Sequence, residues 1–225
     1  MKHFILMMAV VLFASGLVSA VEKPELDRKI EKHIGKFQAM QAKAGKGVPA
    51  EVLKKAKGIV LLDRTKAGFI FAYQGGSGVA MVKDKSDEWG PVAFLKANEA
   101  SLGFQVGGQQ SFLVMLLMNE DATRMLTDPN YDFGGEARGT AGDSSAGAEG
   151  NIATKERSIL IYDDREGLFG GAALKGGALS PDTEANLAYY GEALTVKEIL
   201  FENKVKPTEA AKKLAARITE AASPK

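Results

Sequence analysis

Residues 58–83 read GIVLLDRTKAGFIFAYQGGSGVAMVK, and this stretch decides the fold class. Ile59-Val60-Leu61-Leu62 is a short aliphatic and β-branched run, and Phe69, Phe71 and Tyr73 then fall on one face by strict alternation. A period of two means strand. Gly75-Gly76 separates this run from Ser77 to Lys83, and two glycines between strand-like runs predict a tight hairpin turn, because such a turn needs positive φ.

Working outward, apolar or alternating runs predict further strands at 92–96, 102–106, 112–118, 158–162 and 168–174. Ahead of them, residues 24–43 have helical spacing, with Leu26, Ile30, Ile34, Phe37 and Met40 or Gln41 on one side and Arg28, Lys29, Lys32, Lys36 and Lys43 around the rest. Pro49 is placed to start a second, short helix through Lys57. Asn119 caps a short helix over 120–126, and 128–151 reads as a long loop with one strand near 133–137. Ser180-Pro181 is expected to open a helix toward Tyr190. Thr195-Val196-Lys197-Glu198 is a capping box, and Pro207 opens a terminal helix with Ala211, Leu214, Ala215 and Ile218 as its stripe. Helices, then short strands, then helices predict one α+β domain over 21–225. Its core is a glycine-rich, strongly curved antiparallel sheet, sandwich or barrel-like, flanked by N- and C-terminal helices.

The first twenty residues are read as a secretory signal: Lys2, an apolar run over 4–14, and small residues at Val18-Ser19-Ala20 for cleavage near Ala20. At about 1.5 Å per residue the run through Val18 spans roughly 22 Å, short of the ~30 Å hydrocarbon core of a bilayer. The expected location is the periplasm or the exterior. Cleavage leaves 28 basic and 28 acidic residues and a single histidine, His33. That neutrality hides a segregation, because residues 22–57 carry ten Lys and Arg against five acids, while 58–196 carry eleven against nineteen.

Composition excludes much chemistry. There is no cysteine, so thiol nucleophiles, disulfides and Cys-rich zinc sites are ruled out, and one histidine cannot make a metal pair. His33 lies beside the apolar stripe of the first helix and reads as a packing residue. Gly75-Gly76-Ser77-Gly78-Val79 lacks the second glycine of a nucleophile elbow, and no phosphate-binding glycine loop occurs. The cluster Asp163-Asp164-Arg165-Glu166 lacks EF-hand spacing and reads as a solvated turn. No cofactor, no catalytic residue, no metal site and no small-molecule substrate are expected, and the acidic centre opposes nucleic acid. What remains is the basic first helix. Five lysines at an anionic surface contribute about 5 kcal/mol, a dissociation constant on the order of 0.1 mM to 1 mM, so membrane binding also needs apolar insertion or a pocket.

Three stretches together resemble the SYLF-domain family, described as the actin-binding or lipid-binding domain of a yeast cortical protein and its relatives. They are 53–60 leading to Gly76-Ser77-Gly78-Val79-Ala80; Trp89-Gly90-Pro91 followed by 103–109; and Tyr162, then 167–174, then Asn186-Leu187-Ala188-Tyr189-Tyr190-Gly191. The resemblance covers about 48–201. It implies a non-enzymatic domain that binds membrane lipid, with phosphoinositides and in some members actin bound by eukaryotic relatives. A periplasmic member would meet neither, so the general property, binding of anionic phospholipid, is the one expected to transfer. The resemblance makes Lys29, Lys32, Lys36, Lys54, Lys55 and Lys57 the lipid-binding candidates, with Phe37 and the neighbouring apolar stripe inserting. The alternative partner is an envelope protein bound through the acidic, glycine-rich middle.

Overall fold

A computed structural model describes residues 22–67, 72–101, 109–127, 131–132, 159–164, 167–169 and 178–223. The run that starts at Gly58 forms β1 (Gly58–Ala67), one of the two central strands of an eight-stranded sheet. The others are β2 (Ala72–Val82), β3 (Ala93–Ser101), β4 (Gln109–Leu117), β5 (Tyr131–Asp132), β6 (Ile159–Asp163), β7 (Gly167–Phe169) and β8 (Ala178–Pro181). Their order is β5-β8-β3-β2-β1-β4-β6-β7, and every pairing is antiparallel. The antiparallel α+β architecture flanked by helices is as expected. Among the described residues the sheet is open, neither a closed barrel nor a pair of stacked sheets.

Helices cover both faces. Ile59 and Leu61 of β1 join one apolar cluster with α1 (Lys23–Ala42), α2 (Ala50–Lys55), α4 (Thr183–Tyr190) and α6 (Glu209–Ala221). Val60 and Leu62 join the other, with α3 (Glu120–Arg124), a 3-10 turn at Met125–Thr127 and α5 (Val196–Leu200). Double coverage explains why Phe112 to Leu117 is apolar at every position: successive side chains point to opposite faces, and here each face is interior.

Two expectations are corrected. Gly75-Gly76 is not a turn; both residues lie inside β2, opposite Thr65 and Arg64. The glycine is there for close approach, since a Cβ on Gly76 would sit 2.8 Å from the Asp63 carbonyl oxygen. Ser180-Pro181 ends β8 instead of opening a helix. Asp182, whose carboxylate accepts from Ala185 N–H at 3.2 Å, is the cap of α4, a role proline cannot fill because it has no side-chain acceptor. The other caps fall as predicted, at Asn119 and in the Thr195–Glu198 box. The expected signal at 1–20 and the expected strands at 102–106 and 133–137 lie outside the described residues, as does most of that at 168–174.

Candidate functional site

The candidates on α1 are positioned by the packing of its apolar face. Leu26, Ile30, Ile34, Phe37 and Met40 recur at helical spacing and are all buried against the sheet and α6. Burying five such side chains contributes roughly 1.5–3 kcal/mol each, so this face is a large part of what holds the domain together. Phe37, expected to insert into a bilayer, is only 1% exposed in the core. That is a correction for the docked helix: a side chain so placed faces protein, not lipid.

The lysines on α1 flank this buried face as a line. At 100° per residue Lys29, Lys32, Lys36 and Lys43 fall within about 60° of one another and span roughly 21 Å of helix. Lys32 Nζ lies 2.9 Å from Asp63 Oδ2 and Lys36 Nζ 2.5 Å from Asp63 Oδ1. Asp63 follows Leu61 on the same face of β1, so it points up at the helix. Burial pushes its carboxyl upward, but the hydrogen bonds from Lys36 and Lys32 outweigh this and hold it below the usual carboxylate range. Near the end of α1, Lys43 reaches both the carbonyl and the carboxylate of Asp164, at 3.2 and 3.4 Å. A cavity of about 150 Å³ lies there, lined by Lys36, Lys43, Met40, Phe112 and Asp164 among others.

His33 sits in the same contact. Its Nδ1 is 2.8 Å from the Lys29 carbonyl and its Nε2 3.0 Å from the Ser77 carbonyl on β2. Both partners are acceptors, and a neutral imidazole has one N–H to donate. Desolvation nonetheless dominates and pushes the pKa of this 98%-buried ring below its ordinary 6.5, against the two carbonyls and Asp63.

Lys54, Lys55 and Lys57 form a separate group at the end of α2, all exposed. Lys57 pairs with Asp87 at 3.1 Å, and Asp87 also accepts from Lys83, whose ammonium lies 5.3 Å from the Trp89 ring centre. Lys57 precedes β1 and Asp63 follows six residues later, so the two lysine groups stand about 20 Å apart along the strand. The structure brings Lys32 and Lys36 together on one carboxylate and leaves Lys54, Lys55 and Lys57 apart from them. Sequence reasoning passed over Asp63 and the Ser77 carbonyl. Asp63 carries a readable signal, a lone acid ending a run of four apolar residues; a backbone carbonyl carries none.

The stretches that resemble known relatives turn out to build the frame. Asn186 donates to the Phe94 carbonyl at 3.0 Å and accepts from Phe94 N–H at 2.9 Å, clamping α4 to β3. Tyr189 OH bonds Asp27 of α1 and Thr208, the cap of α6, while Tyr190 OH bonds the Val92 carbonyl. Gly191 takes φ +76° to end α4. Of the turn read as solvated, Asp163 is buried and Asp164 Oδ1 accepts from Phe112 N–H at 3.0 Å. Among the described residues no three metal-ligating side chains converge.

Comparison with known proteins agrees with this frame. The chain is 31% identical over 188 residues to SH3 domain-containing YSC84-like protein 1 of Xenopus laevis, covering 81% of this chain and 56% of that one. The human protein of the same name is 29% identical over 187 residues, covering 81% and 55%. LAS seventeen-binding protein 3 of Saccharomyces cerevisiae is 30% identical over 167 residues, covering 72% and 36%. The chain thus spans about half the length of the YSC84-like relatives. Residues 98–221 match the family model Ysc84, described as Las17-binding protein actin regulator, and with more than half of its length so matched the chain belongs to the Ysc84 family, the SYLF-domain family.

Proposed function

We propose that this protein is a non-enzymatic module that associates peripherally with anionic phospholipid. The observation that carries the reading is the placement of its lysines. Lys29, Lys32 and Lys36 on α1, with Lys43 just past its end, form one line beside the apolar face, and Lys54, Lys55 and Lys57 form a second, exposed group. Each ammonium near an anionic surface contributes about 1 kcal/mol, and two groups about 20 Å apart engage separate headgroups.

The proposed setting is the exported side of a membrane, after cleavage near Ala20; intact mass of the exported protein tests this, and a mass that retains residues 1–20 contradicts it. Binding is tested by cosedimentation with phosphatidylglycerol vesicles. Reversing Lys29, Lys32 and Lys36 to Glu is a poor variant, because it places two new carboxylates on Asp63. Lys54→Glu with Lys55→Glu and Lys57→Glu is the cleaner one, expected to weaken binding about tenfold or more from the charge lost. A variant that binds as well as wild type removes this group from the account.

A second reading rests on the family description, which concerns a protein that binds Las17 and regulates actin. On that reading the chain binds an envelope protein through its acidic middle. Capture of one partner from envelope extract, with no affinity for vesicles, favours it.

A further inference from the structure

Lys57 and Lys83 stand opposite each other one rung past the Gly58 and Val82 pair, where the Lys83 N–H donates to the Lys57 carbonyl at 2.8 Å. Like charges facing each other on neighbouring strands repel, so this position calls for an anion between them. The chain supplies one itself. Asp87 Oδ1 lies 3.1 Å from Lys57 Nζ, and Asp87 Oδ2 lies 3.0 Å from Lys83 Nζ.

Lys83 has nowhere else to turn. Its side chain is only 7% exposed, its ammonium also donates to the Lys54 carbonyl at 3.1 Å, and it lies against the ring of Trp89, which bridges to it across a hairpin and packs on the core. A cation held so far from water keeps its need for a counter-charge. Asp87 is held differently. Its side chain is 56% exposed at the tip of the hairpin, and its backbone takes φ +63°, a left-handed conformation that costs a residue with a side chain. Hydrogen bonds from Lys83 and Lys57 keep its carboxyl below the usual carboxylate range, so it is charged near neutral pH. The arrangement is a carboxylate, open to water, bridging one buried and one half-exposed ammonium, with Lys54, Lys55 and Lys85 exposed close by.

We propose that Lys57 and Lys83 form a phosphate-binding site, which Asp87 fills in the free protein as a built-in competitor. An incoming phosphate group displaces the carboxylate, accepts from both ammonium groups in its place, and frees the hairpin tip from its left-handed backbone. A carboxylate tethered this closely competes at an effective concentration in the roughly millimolar range. A dilute solute loses to it, and a surface crowded with phosphate wins. The site stands on its own geometry; only a lipid headgroup as the source of the phosphate rests on the phospholipid reading above.

Trp89 is the single tryptophan of the chain and touches Lys83, so its emission reports on the site without any label. Residues 21–225, which hold every described element, are titrated with inorganic phosphate at constant ionic strength, and in a second arm are cosedimented with phosphatidylglycerol vesicles. Asp87→Asn removes the competing charge and tolerates the left-handed backbone; Asp87→Gly is the second variant should the first fold poorly. Glu88→Gln removes the same charge from the neighbouring exposed position and is the control. Expected is a saturable change in Trp89 emission with phosphate, about tenfold tighter in both Asp87 variants, the gain from removing a competitor that fills the site roughly nine-tenths of the time. Glu88→Gln should stay within about twofold of wild type, and Lys83→Met added to Asp87→Asn should abolish the gain. The same ranking in the vesicle arm assigns the site to headgroups; the ranking with phosphate alone assigns it to the free ion. Phosphate binding that keeps this ranking while no variant sediments with vesicles upholds the site and overturns the phospholipid reading. Asp87 variants that bind neither probe more tightly than Glu88→Gln overturn the site and leave the phospholipid reading to its own test.

Discussion

Asp63 is where sequence and fold part company. A charged residue ending the run Ile59-Val60-Leu61-Leu62 looks like the edge of a strand, yet β1 continues to Ala67 and Asp63 is 8% exposed under α1. Lys32 and Lys36, one turn apart, make its burial tolerable. Asp63→Asn should therefore cost about 1–3 kcal/mol in denaturant unfolding, because two ammonium partners lose their acceptor. Gly76→Ala should cost a similar amount, about 1–3 kcal/mol, since its Cβ meets backbone and not a movable side chain. Phe37→Ala opens a cavity in the core and is expected to cost about 3–5 kcal/mol; a loss under about 1 kcal/mol would mean the ring is not buried as described. At this scale the sequence showed which residues are apolar but not where each one goes. Phe37 reads equally well as a core residue or as a membrane anchor until the opposing strand is seen. Gly75-Gly76 reads as a turn because the close approach of β1 that demands small residues is a long-range fact.

Elements were more legible than residues. The spacing of Leu26, Ile30, Ile34, Phe37 and Met40 placed α1 within a residue of its ends, and Asn119 and Thr195 marked their helices because capping is local chemistry. The β2 hairpin and the start of α4 were misplaced where tertiary pairing overrode a local signal. The contact of α1 with the sheet also makes a pH prediction. His33 is neutral in the fold with its pKa below 6.5, so its contribution is fully present above about pH 6.5 and is lost as pH falls below that value. Asp63, held below its ordinary 3.8, contributes above about pH 4 and loses that contribution only as pH falls further, through its folded value. The melting temperature should therefore decline between about pH 7 and about pH 5 in wild type and much less in His33→Gln. Identical profiles for the two proteins would show that His33 carries no such linkage. Asn186→Ala probes a different contact. It strands the N–H of Phe94 in the interior, while the Phe94 carbonyl keeps its bond from Asp182 N–H, and is expected to cost about 1–3 kcal/mol, read by chemical denaturation.

At the scale of the molecule, the described residues form an open antiparallel sheet with helices on both faces, and a few polar side chains join those layers. Asn186, Tyr189 and Tyr190 tie α4 to β3, α1 and the cap of α6, and Gly191 ends the helix, roles that architecture explains without reference to a ligand. Family membership is readable from motifs, whereas the lysines of the proposed lipid-binding surface look like ordinary surface residues in sequence. Two basic groups stand on the folded surface, one along α1 and one at the end of α2. The most direct test of the central claim is cosedimentation of residues 21–225 with phosphatidylglycerol vesicles at low salt, beside phosphatidylcholine vesicles as the uncharged control. Binding to the anionic vesicles that weakens as salt is raised, with little binding to the control, is the predicted result. Protein left wholly in the supernatant with both, or equal binding to both, would contradict it.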